Sequence, residues 1–240
     1  MKNTIRGLVV LSALAGALSA NAQTADEIVA KNLTAIGGKE AISQVKSISM
    51  ESTMQVMGND APSTTVVMNG VGFKSETEIN GSKMVRCYNA TGGWTVNPMA
   101  GVTDPTPMPD DEYNEGRDQI YVGGALYDYA SKGGKVELLG KDAGVYKIKL
   151  TTKEKVETVY AIDATTYLIK SVTRKSKLQD QDVDVTTTFS DYRKTDLGLV
   201  FPYAMNVDFG GQFALDITVK KVDLNKTIDP AIFTMPKAGS

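Results

Sequence analysis

The sequence predicts a mainly β protein, a long antiparallel meander covered on one face by two helical segments. Three observations carry that expectation. From Lys46 onward apolar and polar residues alternate with the two-residue period of half-buried strands. Pairs such as Asn80-Gly81, Gly92-Gly93, Gly133-Gly134 and Gly210-Gly211 interrupt the alternation where turns belong. Only the stretches around residues 24–45 and 110–129 follow a helical period instead.

Lys2 and Arg6 precede an apolar run from Leu8 to Ala20, and Ala20-Asn21-Ala22 places small residues where a signal peptidase cuts before Gln23. The run of about 13 residues falls short of the ~20 that a spanning helix needs. Residues 1–22 are therefore read as a secretory signal peptide and residues 23–240 as a single soluble domain. No cysteine stands at the expected new N-terminus to carry an acyl anchor, and Cys87 alone forms no internal disulfide. It reads as a buried thiol.

Thr24 and Glu27 form a capping box that starts a helix carrying Ile28, Leu33 and Ile36 on one face, with Gly37-Gly38 as its stop. A short helical turn from Lys39 to Val45 leads into a strand with Ile48, Met50, Met54 and Val56 on one side. A long second strand bearing Val67, Val71, Phe73 and Ile79 runs to the Asn80-Gly81 hairpin, Met84–Asn89 returns, and Trp94-Thr95-Val96 follows the next turn. Pro98, Pro105, Pro107 and Pro109 break the pattern over residues 98–112, which are expected to form a mobile flap over the sheet. A helix over Asp110–Tyr129, weakened at Gly123-Gly124, comes next. Seven further strands, Val136–Leu139, Tyr146–Leu150, Val156–Ile162, Tyr167–Lys177, Val183–Phe189, Leu199–Phe209 and Phe213–Leu224, bring the total to roughly eleven. Their apolar residues prefer one parity, giving one wet face and one greasy face that the helices must cover.

Composition removes several kinds of chemistry. The chain has no histidine, so Ser-His and Cys-His nucleophiles and histidine zinc sites cannot be built. Its net charge of −2 becomes −4 without Lys2 and Arg6, and no basic block draws nucleic acid. Asp110-Asp111-Glu112 reads as the acidic first turn of a helix. Asp180, Asp182 and Asp184 alternate as in an EF-hand loop, but Val185 and Asp191 replace the required glycine and glutamate, leaving a hairpin end. No catalytic residue, metal ligand or cofactor is assigned, and the chain reads as a binding protein. Trp94 fits either a core or a pocket rim.

Several segments then fall in a telling order: Ala25-Asp-Glu-Ile-Val29 with Ile36-Gly-Gly38 and Val45-Lys-Ser-Ile48; Gly93-Trp94-x-x-x-Pro98; Val159-Tyr-Ala-Ile-Asp163-x-x-Thr166-x-Leu-Ile169; Phe189-Ser-Asp-Tyr192; Gly198-Leu-Val-Phe-Pro202; and Val222-Asp-Leu-Asn225-x-x-Ile-Asp229-x-x-x-Phe233-x-x-Pro236. In that order and spacing the chain resembles the periplasmic outer-membrane lipoprotein-sorting, LolA/LolB-like, family along essentially its whole mature length. The resemblance implies an incomplete, half-open antiparallel β-barrel in the periplasm whose apolar concave face, closed by helices, holds acyl chains. It implies lipid or an acylated lipoprotein as cargo, envelope membrane proteins as donor and acceptor, and no cofactor. Candidate ligand-binding residues, chosen by parity and size, are Met50, Met54, Val67, Phe73, Trp94, Leu126, Phe201 and Met205. The family's lid-tethering arginine has no motif match here, and Arg86 and Arg117 are candidates by residue type. The same scaffold also serves envelope signalling or stress-sensing domains, the alternative reading. A carboxylate enzyme needs two buried acids converging in the cavity.

Overall fold

A computed structural model describes residues 23–56, 58–178 and 181–237. The signal-peptide reading of residues 1–22 and Asp180 of the EF-like stretch lie outside the described residues. Helices α1 (Ala25–Ala35) and α2 (Gly38–Gln44) precede strands β1 (Ser47–Val56), β2 (Asn59–Met68), β3 (Gly72–Ile79), β4 (Ser82–Asn89), β5 (Gly93–Asn97) and β6 (Val102–Pro107). Helix α3 (Asp110–Gly116) follows, then β7 (Lys135–Asp142), β8 (Val145–Thr151), β9 (Glu157–Asp163), β10 (Ile169–Leu178), β11 (Gln181–Lys194), β12 (Val200–Phe209) and β13 (Ala214–Leu224). Among the described residues thirteen strands form one antiparallel sheet in the order β6-β5-β4-β3-β2-β1-β13-β12-β11-β10-β9-β8-β7. Two meanders therefore run outward from a single long-range pair, β1 with β13. The sheet stays open, with β6 and β7 as its edges, so the half-open antiparallel barrel expected from the sequence is the architecture observed.

Thirteen strands replace the roughly eleven expected from pattern. The long second strand is two, β2 and β3, because the chain turns at Asn69-Gly70 and leaves Val71 38% exposed. The proline-rich segment is no flap. Residues 102–107 form β6, with Trp94 opposite Pro107 and Thr95 opposite Thr106. Prolines are tolerated there because an edge strand has no further ladder to satisfy. The helix predicted over 110–129 ends at Gly116, and a 3-10 turn at Arg117–Ile120 and a series of turns complete the connection. Asn80-Gly81 does close a two-residue hairpin, with φ of 51° and 77° that match a type I′ turn.

Register sorts every side chain onto one of two faces. Tyr88, Phe73, Val67, Ile48 and Leu224 stand in one cross-strand row on the inner face. Over this end of the sheet α1 and α2 lay Ile28, Val29, Leu33, Ile42 and Val45, which join Ile48, Val67, Ile148, Leu150, Tyr160 and Ile162 in the main core. The start of α1 is held by its capping box: the Thr24 hydroxyl accepts from the Glu27 amide at 3.2 Å, and the Glu27 carboxylate accepts from the Thr24 amide at 3.0 Å. The Tyr129 hydroxyl donates to Asp26, joining α1 to the turns after α3. Burial and that carboxylate push the Tyr129 phenol up to about 12.

On the outer face the C-terminal segment forms a strap. Ile228, Ile232 and Phe233 pack on Val66, Met68, Val85, Cys87, Trp94 and Val96. Three donors, Asn89 Nδ2 at 3.2 Å, Trp94 Nε1 at 3.3 Å and Cys87 Sγ at 3.6 Å, converge on the Phe233 carbonyl. The Phe233 ring sits where a Cβ on Gly72 would come within 2.3 Å of it, so this socket requires glycine. Burial pushes the Cys87 thiol up to about 12. Phe233→Ala should cost about 3–5 kcal/mol in chemical denaturation and open Cys87 to a thiol reagent that does not reach it in the native protein. Rapid labelling of native Cys87, or a neutral Phe233→Ala, would show that the strap seals nothing.

Candidate functional site

Beyond the helix-covered end, the inner face continues in rows set by the same register. Arg86, Ser75, Thr65, Met50 and Val222 form the next row, followed by Met84, Thr77, Ser63, Ser52 and Val219. Ala61, Met54, Ile217, Met205 and Phe189 then continue across β2, β1, β13, β12 and β11. The uniformly greasy face expected from parity is thus divided. Strands β2 and β3 carry mostly hydroxyls and β4 adds Arg86 and Met84, whereas β1, β13, β12 and β11 carry mostly thioethers and branched or aromatic groups, with Ser52 of β1 the hydroxyl among them. Ser52, Ser63, Thr65 and Thr77 are buried. Their polarity is satisfied locally, with Ser63 Oγ and Thr77 Oγ1 2.9 Å apart and Thr65 Oγ1 donating to Ser75 Oγ at 3.4 Å.

Helix α3 spans the mouth of this trough. Its Glu112 accepts from Arg86 of β4 at 3.1 Å. Its Glu115 carboxylate accepts from Ser176 of β10 at 2.9 Å, and the Glu115 carbonyl accepts from Arg174 of β10 at 3.2 Å. Six strands separate β4 from β10 in the sheet. In a flat sheet they would lie roughly 34 Å apart, at ~4.8 Å per strand, whereas a seven-residue helix is only ~10 Å long. The sheet must therefore coil until the two strands face each other across the trough. Gly116 lets α3 settle onto β4, because a Cβ there would stand 2.2 Å from Tyr88 Cζ. Tyr113 donates to the Asn89 carbonyl at 2.9 Å, and burial raises the Tyr88 phenol above its ordinary range.

The two arginines singled out by residue type both find carboxylates. Arg86 meets Glu112, and Arg117 meets Glu154 at 2.7 Å, which ties the turn after α3 to the β8–β9 connection. Beside it Lys132 stacks over Tyr121 at 4.4 Å and pairs with Asp118 at 3.4 Å, around a cleft of about 140 Å³. Burial lowers the Lys132 pKa, while Asp118 opposes the shift. A groove of about 350 Å³ lies on the outer face, floored by Thr53, Gln55, Thr188, Ser190 and Thr218. Its lining mixes those residues and Asp60, Asn206, Asp216 and Lys220 with Ala204, Met205 and Ile217.

The predicted ligand-binding residues divide by location. Met50, Met54 and Met205 stand half-exposed on the inner face beyond the helices, as does Phe201, which meets Tyr203 edge-on at 6.4 Å. Val67 and Leu126 are buried in the main core, and Phe73 packs against it and against Tyr88. Trp94 is the correction. It pairs with Cys87, next to the Gly93 that shares the row of Tyr88 and Phe73, so its indole points to the opposite face and is buried under Phe233. Sequence reasoning missed Ile217 and Phe189, whose parity was legible, and Arg174, whose approach to α3 had no local signal.

No protein-family model and no curated protein matches the sequence. Solved structures match it in three dimensions. A LolA superfamily protein from Nitrosomonas europaea covers 89% of this chain and 98% of its own, with a TM-score of 0.59 at 12% identity. A putative outer membrane lipoprotein-sorting protein domain from Vibrio parahaemolyticus covers 87% of this chain and 95% of its own, with a TM-score of 0.54 at 14% identity. The fold is LolA-like. At such identity the likeness describes the backbone, and the LolA-like trough must be judged by the side chains this chain places in it. Among these Gly116 decides where α3 lies. Gly116→Ala should destabilise the protein by about 1–3 kcal/mol and raise amide exchange selectively over residues 108–120. Unchanged exchange there would mean that α3 does not depend on its seat over Tyr88.

Proposed function

We propose that this chain is an exported carrier, a single domain over residues 23–240, that holds lipid or lipoprotein acyl chains non-covalently in the periplasm. The observation that carries the reading is the strip of Met50, Met54, Ile217, Met205 and Phe189 on the inner face of a coiled sheet, continuous with the core and outside the area covered by α1 and α2. Flexible thioethers adapt to chains of different shape, and each buried methylene contributes about 0.8 kcal/mol. Helix α3 acts as the lid, because its polar links to β4 and β10 must loosen for a chain to enter or leave. Transfer then follows from differential affinity between envelope donor and acceptor proteins.

A binding role also fits what is buried: among the described residues no carboxylate or lysine is buried, and burial raises the pKa of the buried Cys87, Tyr88 and Tyr160, a poor basis for acid–base chemistry near neutral pH. An envelope-signalling domain would present a continuous patch for a protein partner.

Delipidated protein should bind a fluorescent fatty-acid probe and release it on addition of lipid. Met50→Trp and Met205→Trp should weaken that binding by filling the strip, with overpacking costing about 1–3 kcal/mol of stability. A folded, delipidated protein that ignores the probe would overturn the carrier reading. Mass analysis of protein recovered from the envelope should find Gln23 first, and a chain retaining residues 1–22 would contradict export by cleavage.

A further inference from the structure

We infer that the trough selects amphiphiles with an acidic oxyanion head, a carboxylate or a phosphate, which Arg86 and Arg174 grip in place of their contacts with α3. This inference rests on the carrier reading and names the class of cargo.

Arg86 and Arg174 approach from opposite flanks of the sheet onto one turn of one helix. Glu112 and Glu115, their contacts, are three residues apart in α3, a separation of about 5–6 Å between side-chain origins. The charges of Arg86, Arg174, Glu112 and Glu115 all act on the Tyr88 phenol beneath them, which places the four groups in one electrostatic neighbourhood. Arg174 is the less compensated of the two arginines. It meets the Glu115 carbonyl, while the Glu115 carboxylate turns to Ser176, and among the described residues Arg174 makes no ion pair. A half-buried guanidinium with a neutral acceptor is a strong site for a carboxylate or phosphate, which accept two parallel N–H bonds.

The register supplies the rest of an amphiphile's environment. Along one cross-strand row the inner face passes from Arg86 through Ser75 and Thr65 to Met50. A charged head at the arginine, hydroxyls beside its polar linkage and an alkyl chain on the thioethers follow that sequence of surfaces. A neutral head would leave Arg174 with only its carbonyl contact and would not displace Glu112 from Arg86. An acidic head competes with Glu112 directly, so loading and loosening of α3 become one event.

The test uses the full mature chain and four probes: laurate, lauryl phosphate, neutral monolaurin with the same acyl chain, and inorganic phosphate. Native protein should bind laurate and lauryl phosphate about tenfold tighter than monolaurin. Arg86→Gln together with Arg174→Gln also frees α3 and so shifts binding of every chain-bearing probe, but it should bring the ratio of acidic-probe to monolaurin affinity to one, while Arg174→Lys should retain much of that ratio. Glu112→Gln with Glu115→Gln should tighten binding of the two acidic probes several-fold relative to monolaurin, whatever change a freer α3 makes common to all three; this gain in ratio keeps the inference testable if the arginine variants unfold on heating. Equal affinity for all three chain-bearing probes, or a preference that survives loss of both arginines, overturns the acidic-head inference and leaves the carrier reading intact. Binding of inorganic phosphate with none of the chain-bearing probes overturns the amphiphile and the carrier together.

Discussion

A helix of seven residues holds together strands that are far apart in the sheet. Arg86 on β4 and Arg174 and Ser176 on β10 all bond to Glu112 or Glu115 of α3, and no flat sheet could bring those strands within reach of one helix. Strand twist supplies the tendency to coil, and α3 selects how far coiling goes. Everything inside the trough depends on that closure. Without it, the buried hydroxyls of Ser52, Ser63, Thr65 and Thr77 would lie open to water, although their bonds to adjacent strands would persist. The links are polar and partly exposed, so each contributes modestly to stability. That suits a contact that holds the mouth in position and yet can be exchanged for another anion.

Polarity inside the trough is graded, and the gradient follows from pairing. Each row takes one residue from each strand, so neighbouring strands of different composition make a surface that changes across the sheet. Strands β2 and β3 bring serine and threonine, whereas β1, β13 and β12 bring methionine, isoleucine and valine. The helix-covered end is ordinary core, with α1 and α2 seated on aliphatic and tyrosine side chains. The same sheet thereby supplies a packed foundation at one end and a graded surface at the other.

The outer face has its own anchor. A C-terminal strap inserts Phe233 over Gly72, and Asn89, Trp94 and Cys87 all donate to its carbonyl. This second, smaller core buries the outer-face apolar residues of β2, β4 and β5, while β3 brings Gly72, Lys74 and Glu76 to the same face. A reading that assigns apolar residues to the trough by size therefore fails on this half of the sheet, and Trp94 is where it fails.

The sequence by itself determined the local geometry. The capping box at Thr24 and Glu27, the Asn80-Gly81 hairpin and the alternation along β1 depend on neighbouring residues, and the side chains that make them are legible in order along the chain. Met50 and Met54 could be placed on one face because parity persists along an unbroken strand, whereas Met205 joins them only through the register of β1, β13 and β12. Tertiary structure alone decided which parity of β5 faces the trough, since that depends on the Cys87 to Trp94 register and on what the C-terminal strap covers. It also decided that residues 102–107 pair as an edge strand despite their prolines, and that Arg174 meets a helix that ends 58 residues before it in the chain. Those outcomes rest on pairing between distant segments and on the coiling of the whole sheet, and short-range patterns carry no information about either.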